Sequence, residues 1–134
     1  KNIIKNEMHD YNSYSDNRPG VKLPSGLMNI TKFEILESNY MRFNFCQKVQ
    51  CLARKGALRT RVLIGGKKVD IYNIHTEPFK KRFKIREKQF KQLIEEINKN
   101  DPKKLIPTII IGDFNVQAET KEYTSMNNYL QSNG

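Results

Sequence analysis

The feature that most constrains the fold is a pair of alternating segments on either side of Gly65-Gly66. Apolar and polar side chains alternate through residues 57–64 and again through residues 69–75. A period of two is typical of β-strands, and a Gly-Gly pair between two such segments favours a tight turn. The sequence therefore predicts an antiparallel β-hairpin over residues 57–75, and its second strand runs into His75.

The period becomes helical after this hairpin. Apolar residues recur at spacings of three, four and seven between residues 79 and 98, which predicts an amphipathic helix. Six side chains are expected to face the core: Phe79, Phe83, Phe90, Leu93, Ile94 and Ile97. Arg86 falls on the same face, where a charged residue usually has a partner.

Shorter patterns complete the expected order of elements. Residues 26–35 and 40–45 alternate and predict strands, and the apolar residues 108–111 predict a strand buried on both faces. Residues 121–130 predict a last helix, with Tyr123, Met126 and Leu130 inward. The polar residues 1–20 predict a loop. Strands interspersed with helices are typical of a layered α/β fold.

Three polar residues stand where apolar strands end. His75 ends the hairpin, and Asp113 and Asn115 follow the strand that contains residues 109–111. A carboxylate, a carboxamide and an imidazole together suit phosphoryl chemistry, and Gly112 lets the backbone approach a ligand closely. The alternatives are a structural histidine and an ordinary turn, since Asp and Asn favour turns.

The net charge of +10 leaves the kind of partner open. A basic excess suits nucleic acid or an anionic membrane, and it also suits a solvated surface rich in Lys and Asn. The densest basic group lies between residues 80 and 91. No apolar segment approaches the ~20 residues that a membrane-spanning helix needs, so we expect a soluble or peripheral membrane protein.

Cys46 and Cys51 are the two cysteines of the chain. Their spacing matches no zinc pattern, and no second Cys or His pair accompanies them. Two partly buried free thiols are expected. A disulfide that closes a short loop is the alternative if the protein is secreted.

Three segments occur in a characteristic order: residues 72–77 (Tyr-Asn-Ile-His-Thr-Glu), 85–90 (Ile-Arg-Glu-Lys-Gln-Phe) and 110–116 (Ile-Ile-Gly-Asp-Phe-Asn-Val). Together they resemble the endonuclease/exonuclease/phosphatase superfamily, which has the deoxyribonuclease-I-like fold. The His-Thr pair, the Arg-x-x-Gln helix and Gly-Asp-Phe-Asn resemble its neutral-sphingomyelinase branch in particular. Residues 25–35 and 51–58 also resemble segments of that branch.

The resemblance implies a four-layer α/β/β/α sandwich, of which residues 1–134 would be one partial domain without the early strands and the C-terminal part. It implies a Mg²⁺-dependent phosphodiesterase that hydrolyses a phospholipid, by attack of water on phosphorus, at a membrane surface. His75 would contact the scissile phosphate. Asp113 would position the attacking water and hold the metal only indirectly, and Asn115 would stabilise charge on the phosphate. The expected structural supports are Arg86, Lys55 and Gly112.

Some of the superfamily's groups have no counterpart in this chain. Its main metal ligands are an Asn and a Glu on early strands, and its general base is a His in a terminal Asp-His pair. In some animal sphingomyelinases an Asp also pairs with the Lys of a Lys-Gly segment. Lys55 is present here, but Gln50 stands at the position of that Asp. We therefore expect an excerpt of a longer protein that does not hydrolyse phosphodiesters alone.

Two other functions stay open. One is a nuclease of the same superfamily, which the basic charge favours. The other is a catalytically inactive member that binds assembly partners, which the missing ligands favour.

Overall fold

The computed structural model describes residues 12–15 and 25–133. Short 3₁₀ helices lie at Lys48–Leu52 and Lys80–Arg82. The longer elements are, in chain order, β1 (Asn12–Ser15), β2 (Met28–Thr31), β3 (Glu34–Arg42), β4 (Gly56–Ile64), β5 (Lys67–His75), α1 (Phe83–Asn100), β6 (Thr108–Asp113) and α2 (Lys121–Asn133).

Strands β3, β4, β5 and β6 form a four-stranded sheet in that order. The predicted hairpin is confirmed, because β4 pairs antiparallel with β5 across Gly65-Gly66. Both glycines have positive φ, 55° and 77°, which residues with a Cβ atom rarely adopt. The turn therefore sets a register in which Gly56 pairs with His75 at the sheet's end.

Strands β5 and β6 run parallel, and α1 connects them. A parallel pair needs such a crossover, which is usually a helix. The buried face of α1 packs on Ala57, Tyr72 and Ile74, and α2 adds half-buried side chains to the same core. Full burial of one large apolar side chain contributes roughly 1.5–3 kcal/mol, so these contacts hold the helices on this face.

The opposite face of the sheet carries a two-stranded antiparallel sheet of β1 and β2. The buried Asn29 of β2 joins the two sheets: its Nδ2 donates to Thr60 Oγ1 at 2.8 Å, and its Oδ1 accepts from Asn73 Nδ2 at 3.0 Å. The described residues thus form a helical layer and two sheets. This arrangement confirms the mixed α/β class and represents part of the expected four-layer sandwich.

The prediction that residues 108–111 form a strand buried on both faces is wrong for the part of the chain that the structure describes. Ile110 packs against the helical core, but Ile109 and Ile111 are 46% and 44% exposed. Within the described residues β6 pairs only with β5 and forms the sheet edge. The two-stranded sheet packs mainly on β3 and β4.

The helix prediction is correct in place but wrong at its first turn. Phe90, Leu93, Ile94 and Ile97 are buried, as the period indicates. Phe79 and Phe83, however, are 60% and 47% exposed. The α-helix begins only at Phe83, and Phe79 has a φ of 74°, so the helical period does not extend back to it.

Three smaller expectations also need correction. In α2, Met126 and Leu130 pack on the core, but Tyr129 joins them while Tyr123 is 41% exposed. Residues 12–15 form a strand rather than a loop, and the remainder of residues 1–20 lies outside the described residues. Cys46 and Cys51 are joined in a disulfide instead of being free thiols. Cys51 lies in the 3₁₀ helix at Lys48–Leu52, and the chain that leads from Cys46 into this helix turns back so that the two cysteines meet.

Membrane crossing has no support among the described helices. Neither α1 nor any other helix in the described ranges is long and apolar enough to span a bilayer.

Candidate active site

The ends of β5 and β6 bring His75 and Asp113 together. The two strands are parallel neighbours in register, and His75 is paired with Asp113. Carboxyl ends of parallel strands meet at one edge of a sheet, where side chains are held by rigid backbone. His75 Nε2 lies 3.7 Å from Asp113 Oδ2, and both side chains reach solvent, with 32% and 61% of their areas exposed.

Thr76 holds the two strand ends in place. Its backbone N–H donates to Asp113 O at 3.0 Å, and its hydroxyl donates to Phe114 O at 2.5 Å. The side chain is fully buried. The sequence shows Thr76 beside His75 but does not reveal this role, because its partners lie almost forty positions further along the chain.

Asn115 joins the same group through a turn that asparagine favours. Its φ is 49°, in the left-handed region that Asn visits more readily than most residues. Its N–H donates to Asp113 Oδ1 at 2.9 Å, and its Nδ2 donates to Thr76 O at 3.0 Å. An amide nitrogen carries two N–H bonds, so one of them is left for a ligand.

Gly112 is required by the close approach of β6 to β5. Its φ is 119°, and a Cβ atom there would lie 2.2 Å from Ile74 O and 2.8 Å from Asn73 Oδ1. No other amino acid fits without moving the strand. Gly112 thus positions Asp113 and Asn115 rather than contributing chemistry.

Lys55 reaches the same edge from the residue before β4. Its Nζ contacts His75 Nε2. Burial lowers the pKa of Lys55, and burial together with the Lys55 charge lowers the pKa of His75, although Asp113 acts in the opposite direction on both. An ammonium group only donates hydrogen bonds. The lowered pKa of His75 favours the neutral imidazole, in which an unprotonated Nε2 can accept from Lys55 Nζ.

Arg86 anchors the loop beneath this edge. Its side chain is 1% exposed, and its guanidinium donates to Glu122 at 2.6 and 2.8 Å. It also donates to Glu77 O at 3.0 Å and Phe79 O at 2.8 Å. The partner that the sequence predicts for this core arginine is therefore a carboxylate of α2 together with backbone carbonyls.

Glu77 is the charged residue that sequence reasoning missed. Its side chain is fully buried, and its Oε1 pairs with Arg82. Oε2 is the one buried side-chain oxygen or nitrogen in the described residues without a hydrogen-bond partner. Its negative charge acts on Lys55, as does that of Asp113. Lys55 thus has two acidic neighbours even though position 50 is Gln50.

The described side chains do not make a complete magnesium site. Mg²⁺ prefers octahedral oxygen ligands and is usually held by one or two carboxylates together with water and substrate oxygens. No group of three or more His, Cys, Asp or Glu residues with metal-binding geometry occurs in the described ranges. Asp113 provides one exposed carboxylate, whereas the unpaired oxygen of Glu77 is enclosed near the cations of Arg82 and Lys55.

A cleft of about 650 Å³ opens at this edge of the sheet. Its wall includes Phe79, Lys80, Gly112, Asp113 and Asn115. The sequence-predicted site residues are thus brought together: His75 contacts Lys55 and lies beside Asp113, while Asp113 and Asn115 face the cleft. Their catalytic roles remain predictions.

Several solved structures share the fold of this chain. Sphingomyelinase C from Streptomyces griseocarneus superimposes with a TM-score of 0.78 at 19% identity, covering 95% of this chain and 51% of that protein. TDP2 from D. rerio, complexed with single-strand DNA product, superimposes with a TM-score of 0.70 at 18% identity, covering 94% and 46%. Both proteins are members of the endonuclease/exonuclease/phosphatase superfamily.

The chain has the fold of the endonuclease/exonuclease/phosphatase superfamily. A mutant of beta toxin from Staphylococcus aureus with bound magnesium ions shares this superfamily fold, with a TM-score of 0.73 at 27% identity over 79% of this chain and 39% of the toxin. No protein-family model matches the sequence, and no curated protein matches it significantly. The fold predicted from the sequence motifs is confirmed.

The chain spans about half the length of the solved structures that share its superfamily fold, 51% of the sphingomyelinase and 46% of TDP2.

Proposed function

We propose that the protein is a phosphodiesterase that hydrolyses a phospholipid phosphodiester, in the manner of a sphingomyelinase, by attack of water on phosphorus. The observation that carries the proposal is the convergence of His75, Asp113 and Asn115 on one sheet edge, with Lys55 beside the imidazole. A lysine cation and N–H donors grouped at one sheet edge suit a phosphate, whose charge is spread over its oxygens.

Each residue has a distinct part in the proposed reaction. Lys55 and His75 contact each other in the free protein and would separate when the phosphate binds. The Lys55 ammonium would donate to a phosphate oxygen, and His75 would donate to it after taking up a proton from solvent, which the negative charge of the phosphate favours. Asp113 accepts a hydrogen bond from the attacking water and orients it toward phosphorus. The second N–H of the Asn115 amide donates to a phosphate oxygen, where negative charge increases during the reaction.

Magnesium is the proposed cofactor of the whole protein. A beta toxin of the same fold has been solved with bound magnesium ions, which supports this choice. Two carboxylates of the described residues line the cleft, Asp113 and Glu122. Glu122 is paired with Arg86 through both oxygens, whereas the Asp113 side chain is largely exposed, and we expect Asp113 to hold the metal through water. The remaining ligands and the base that accepts the water's proton would come from elsewhere in the protein.

A nuclease is the second candidate. The net charge of +10 suits a polyanionic substrate, and the TDP2 structure of similar fold is a complex with single-strand DNA product. The same four residues would then contact a nucleic-acid phosphate.

A catalytically inactive subunit is the third candidate. The absence of a three-ligand metal cluster from the described ranges and the presence of Gln50 support it. Such a protein would keep the fold and bind assembly partners.

The test is Mg²⁺-dependent release of phosphocholine from sphingomyelin vesicles by the full-length protein, with nicking of plasmid DNA measured in parallel. His75→Ala is expected to lower phosphocholine release by about 10²–10⁴-fold, the range for loss of a positioned catalytic side chain. Glu95→Gln, an exposed change on α1, serves as the matched control and should retain activity.

Three results would overturn the proposal. DNA nicking without phosphocholine release supports the nuclease. Neither activity in a folded full-length protein supports the inactive subunit. Full turnover by residues 1–134 alone would show that the catalytic groups have been misplaced, because we expect this segment not to hydrolyse phosphodiesters without the missing ligands and base.

A further inference from the structure

Two phenylalanines that the helical period predicts to be buried lie on the surface: Phe79 lines the cleft, and Phe83 lies four residues further along the chain, in a groove between α1 and α2. Phe79 is 60% exposed and Phe83 is 47% exposed, whereas Phe90, seven residues beyond Phe83 on α1, is 3% exposed. Large apolar side chains exposed together mark interaction sites more often than isolated ones. Phe79 and Phe83 therefore mark a candidate interaction surface.

The exposed position of Phe79 is built into the fold. Its φ of 74° is rare for a residue with a Cβ atom, and two arginines stabilise it. The buried Arg86 holds its carbonyl oxygen at 2.8 Å, and the Arg82 guanidinium lies 4.8 Å from the centre of its ring. Arg86, which anchors the site, thus fixes the backbone of Phe79, while Arg82 contacts the exposed ring.

A third exposed phenylalanine comes from a different loop. Phe45 is 39% exposed, and Lys88 of α1 lies 5.3 Å from its ring centre. Gln89 joins the two loops, because its Nε2 donates to Phe45 O at 2.7 Å and its Oε1 accepts from Glu77 N at 2.9 Å. The loop that contains Phe79 and the loop that contains Phe45 are therefore neighbours at the start of α1.

The charge around these rings is strongly positive. Residues 77–91 contain seven basic and two acidic residues, a net charge of +5. The two acids are already paired, Glu77 with Arg82 and Glu87 with Lys91. Lys80 and Lys81 are exposed between Phe79 and Phe83, and Lys84 is exposed directly after Phe83. We call the surface formed by the following residues the aromatic–basic rim: Phe45, Phe79, Phe83, Lys80, Lys81 and Lys84.

The rim borders the candidate active site. Phe79 and Lys80 line the same cleft as Asp113 and Asn115. A surface that engages the rim would therefore present its phosphate groups at the mouth of the cleft.

We propose that the aromatic–basic rim docks the protein on an anionic phospholipid bilayer. Lysines extend their ammonium groups to the level of lipid phosphates, while neighbouring aromatic rings enter the boundary between headgroups and acyl chains. This inference rests on the proposed function, because docking would place a lipid phosphodiester beside His75 and Asp113.

A lipid surface explains one feature better than a nucleic acid does. Leu52 is 64% exposed, and the disulfide between Cys46 and Cys51 keeps it in the same loop as Phe45. Single-stranded nucleic acids bind to aromatic rings by base stacking. An aliphatic side chain gains little from stacking but gains from transfer to hydrocarbon.

The test uses the full-length protein and vesicles of phosphatidylcholine with or without phosphatidylserine. Phe79→Ala/Phe83→Ala is expected to weaken binding to the anionic vesicles at least about tenfold. Lys80→Gln/Lys81→Gln/Lys84→Gln should weaken it by on the order of tenfold or more and remove the preference for phosphatidylserine. The matched controls are Leu105→Ala, an exposed apolar residue elsewhere, and Lys67→Gln/Lys68→Gln at the hairpin turn.

Phe79→Leu/Phe83→Leu separates lipid from nucleic acid, because leucine enters a bilayer but does not stack on bases. Retained vesicle binding by this variant supports the proposal. Unchanged vesicle binding by the alanine variant would overturn the proposal. It would also be overturned if the alanine variant lost binding to single-stranded DNA and kept its binding to vesicles, because the rim would then be a nucleic-acid surface. Circular dichroism confirms that each variant is folded.

Docking and catalysis are distinguished by a soluble assay. The single variant Phe83→Ala, whose side chain does not line the cleft, should bind anionic vesicles more weakly and still hydrolyse detergent-dispersed sphingomyelin at the unaltered rate if both proposals hold. If the unaltered protein binds vesicles through the rim but hydrolyses no phosphodiester, the proposed function fails while the docking surface stands.

Discussion

Asp70 lies buried between two arginines within the sheet, whereas Asp113 stands exposed at the sheet's end beside a lysine and a histidine. Asp70 is 1% exposed, but 61% of the Asp113 side chain is exposed. We call the first region the arginine cluster (Asp70, Arg59, Arg61 and Glu37) and the second the cleft edge (Asp113, His75, Asn115 and Lys55). Each region combines a carboxylate with basic side chains, but the carboxylate is buried in the first region and exposed in the second.

The arginine cluster satisfies its carboxylate completely. Arg61 donates to Asp70 at 2.7 and 2.8 Å, and Arg59 donates at 3.1 Å. Burial acts to raise the pKa of Asp70, but the hydrogen bonds from Arg61 and Arg59 outweigh it and hold the pKa below its ordinary value. Glu37 adds a half-exposed second acid to both arginines. This region stabilises the sheet and offers nothing to a ligand.

The cleft edge leaves its groups incompletely paired. Asp113 Oδ1 accepts the N–H of Asn115 at 2.9 Å, while Oδ2 lies 3.7 Å from His75. Burial lowers the pKa of both Lys55 and His75, although they stay in contact with solvent. The difference teaches that the same residue types stabilise a fold when their partners are internal, and suit a ligand when their hydrogen-bonding capacity is left open.

The comparison predicts its largest effect for Asp113→Asn in the full-length protein. Turnover should fall by about 10²–10⁴-fold, because the amide cannot accept and orient water as the carboxylate does. The thermal midpoint should change little, since the Asp113 side chain is mostly exposed. Steady-state kinetics of phosphocholine release and a thermal melt measure the two quantities. Wild-type turnover in the variant would remove Asp113 from the proposed mechanism.

The reverse pattern is expected for Asp70→Asn. Removing one partner of a buried ion pair leaves guanidinium charge without compensation and costs about 3–5 kcal/mol of unfolding free energy. The activity of the molecules that remain folded should be unchanged. Glu37→Gln is the matched control in the same cluster, and its cost should stay below about 1 kcal/mol because 54% of the Glu37 side chain is exposed. Urea unfolding compares the two variants, and equal losses would contradict the comparison.

The smallest effect concerns the protonation of His75. Lys55→Met removes a positive charge that lowers the pKa of His75, so the pKa should rise toward its ordinary value of 6.5. A pH titration of the imidazole C–H signals by NMR measures the shift. Lys68→Met, an exposed change at the hairpin turn, is the control. A His75 pKa that does not move would show that Lys55 and His75 are not coupled in solution.

The sign of the accompanying pH effect on stability follows from this shift. Because the folded pKa of His75 lies below the unfolded value of 6.5, neutral His75 contributes full stability above pH 6.5. That contribution is lost as the pH falls through the folded pKa. Lys55→Met should make the loss smaller, which urea unfolding at two pH values would detect.

Much of the fold could be predicted because its signals are local. Alternation around Gly65-Gly66 indicates the hairpin, and the helical period indicates the crossover that makes β5 and β6 parallel. Those two elements are enough to place His75 and Asp113 at one sheet edge. His75 and Asp113 converge because of the backbone topology. That topology follows from the order of the strands and the helix, which the local periodicity of the sequence predicts.

Other features depend on contacts between residues that are distant along the chain. The contact of Lys55 with His75, the burial of Glu77 beside Arg82, and the exposure of Ile109 leave no local pattern. The spacing of Cys46 and Cys51 is compatible with a disulfide and equally with two free thiols, and the conformation of the chain between them brings the two sulfur atoms together. Each outcome depends on which neighbour the fold places within a few ångströms.

The sequence by itself determined the mixed α/β class, the hairpin and the order in which polar residues reach the sheet edge, because periodicity and glycine positions act through local backbone preferences. Only the tertiary structure decided which charges are paired and which side chains meet solvent. Asp70 and Asp113 are the same amino acid, and Phe79 and Phe90 both lie on the predicted helical stripe. Their burial differs because it depends on the surrounding elements, and the energies of charges and apolar surfaces follow from that burial.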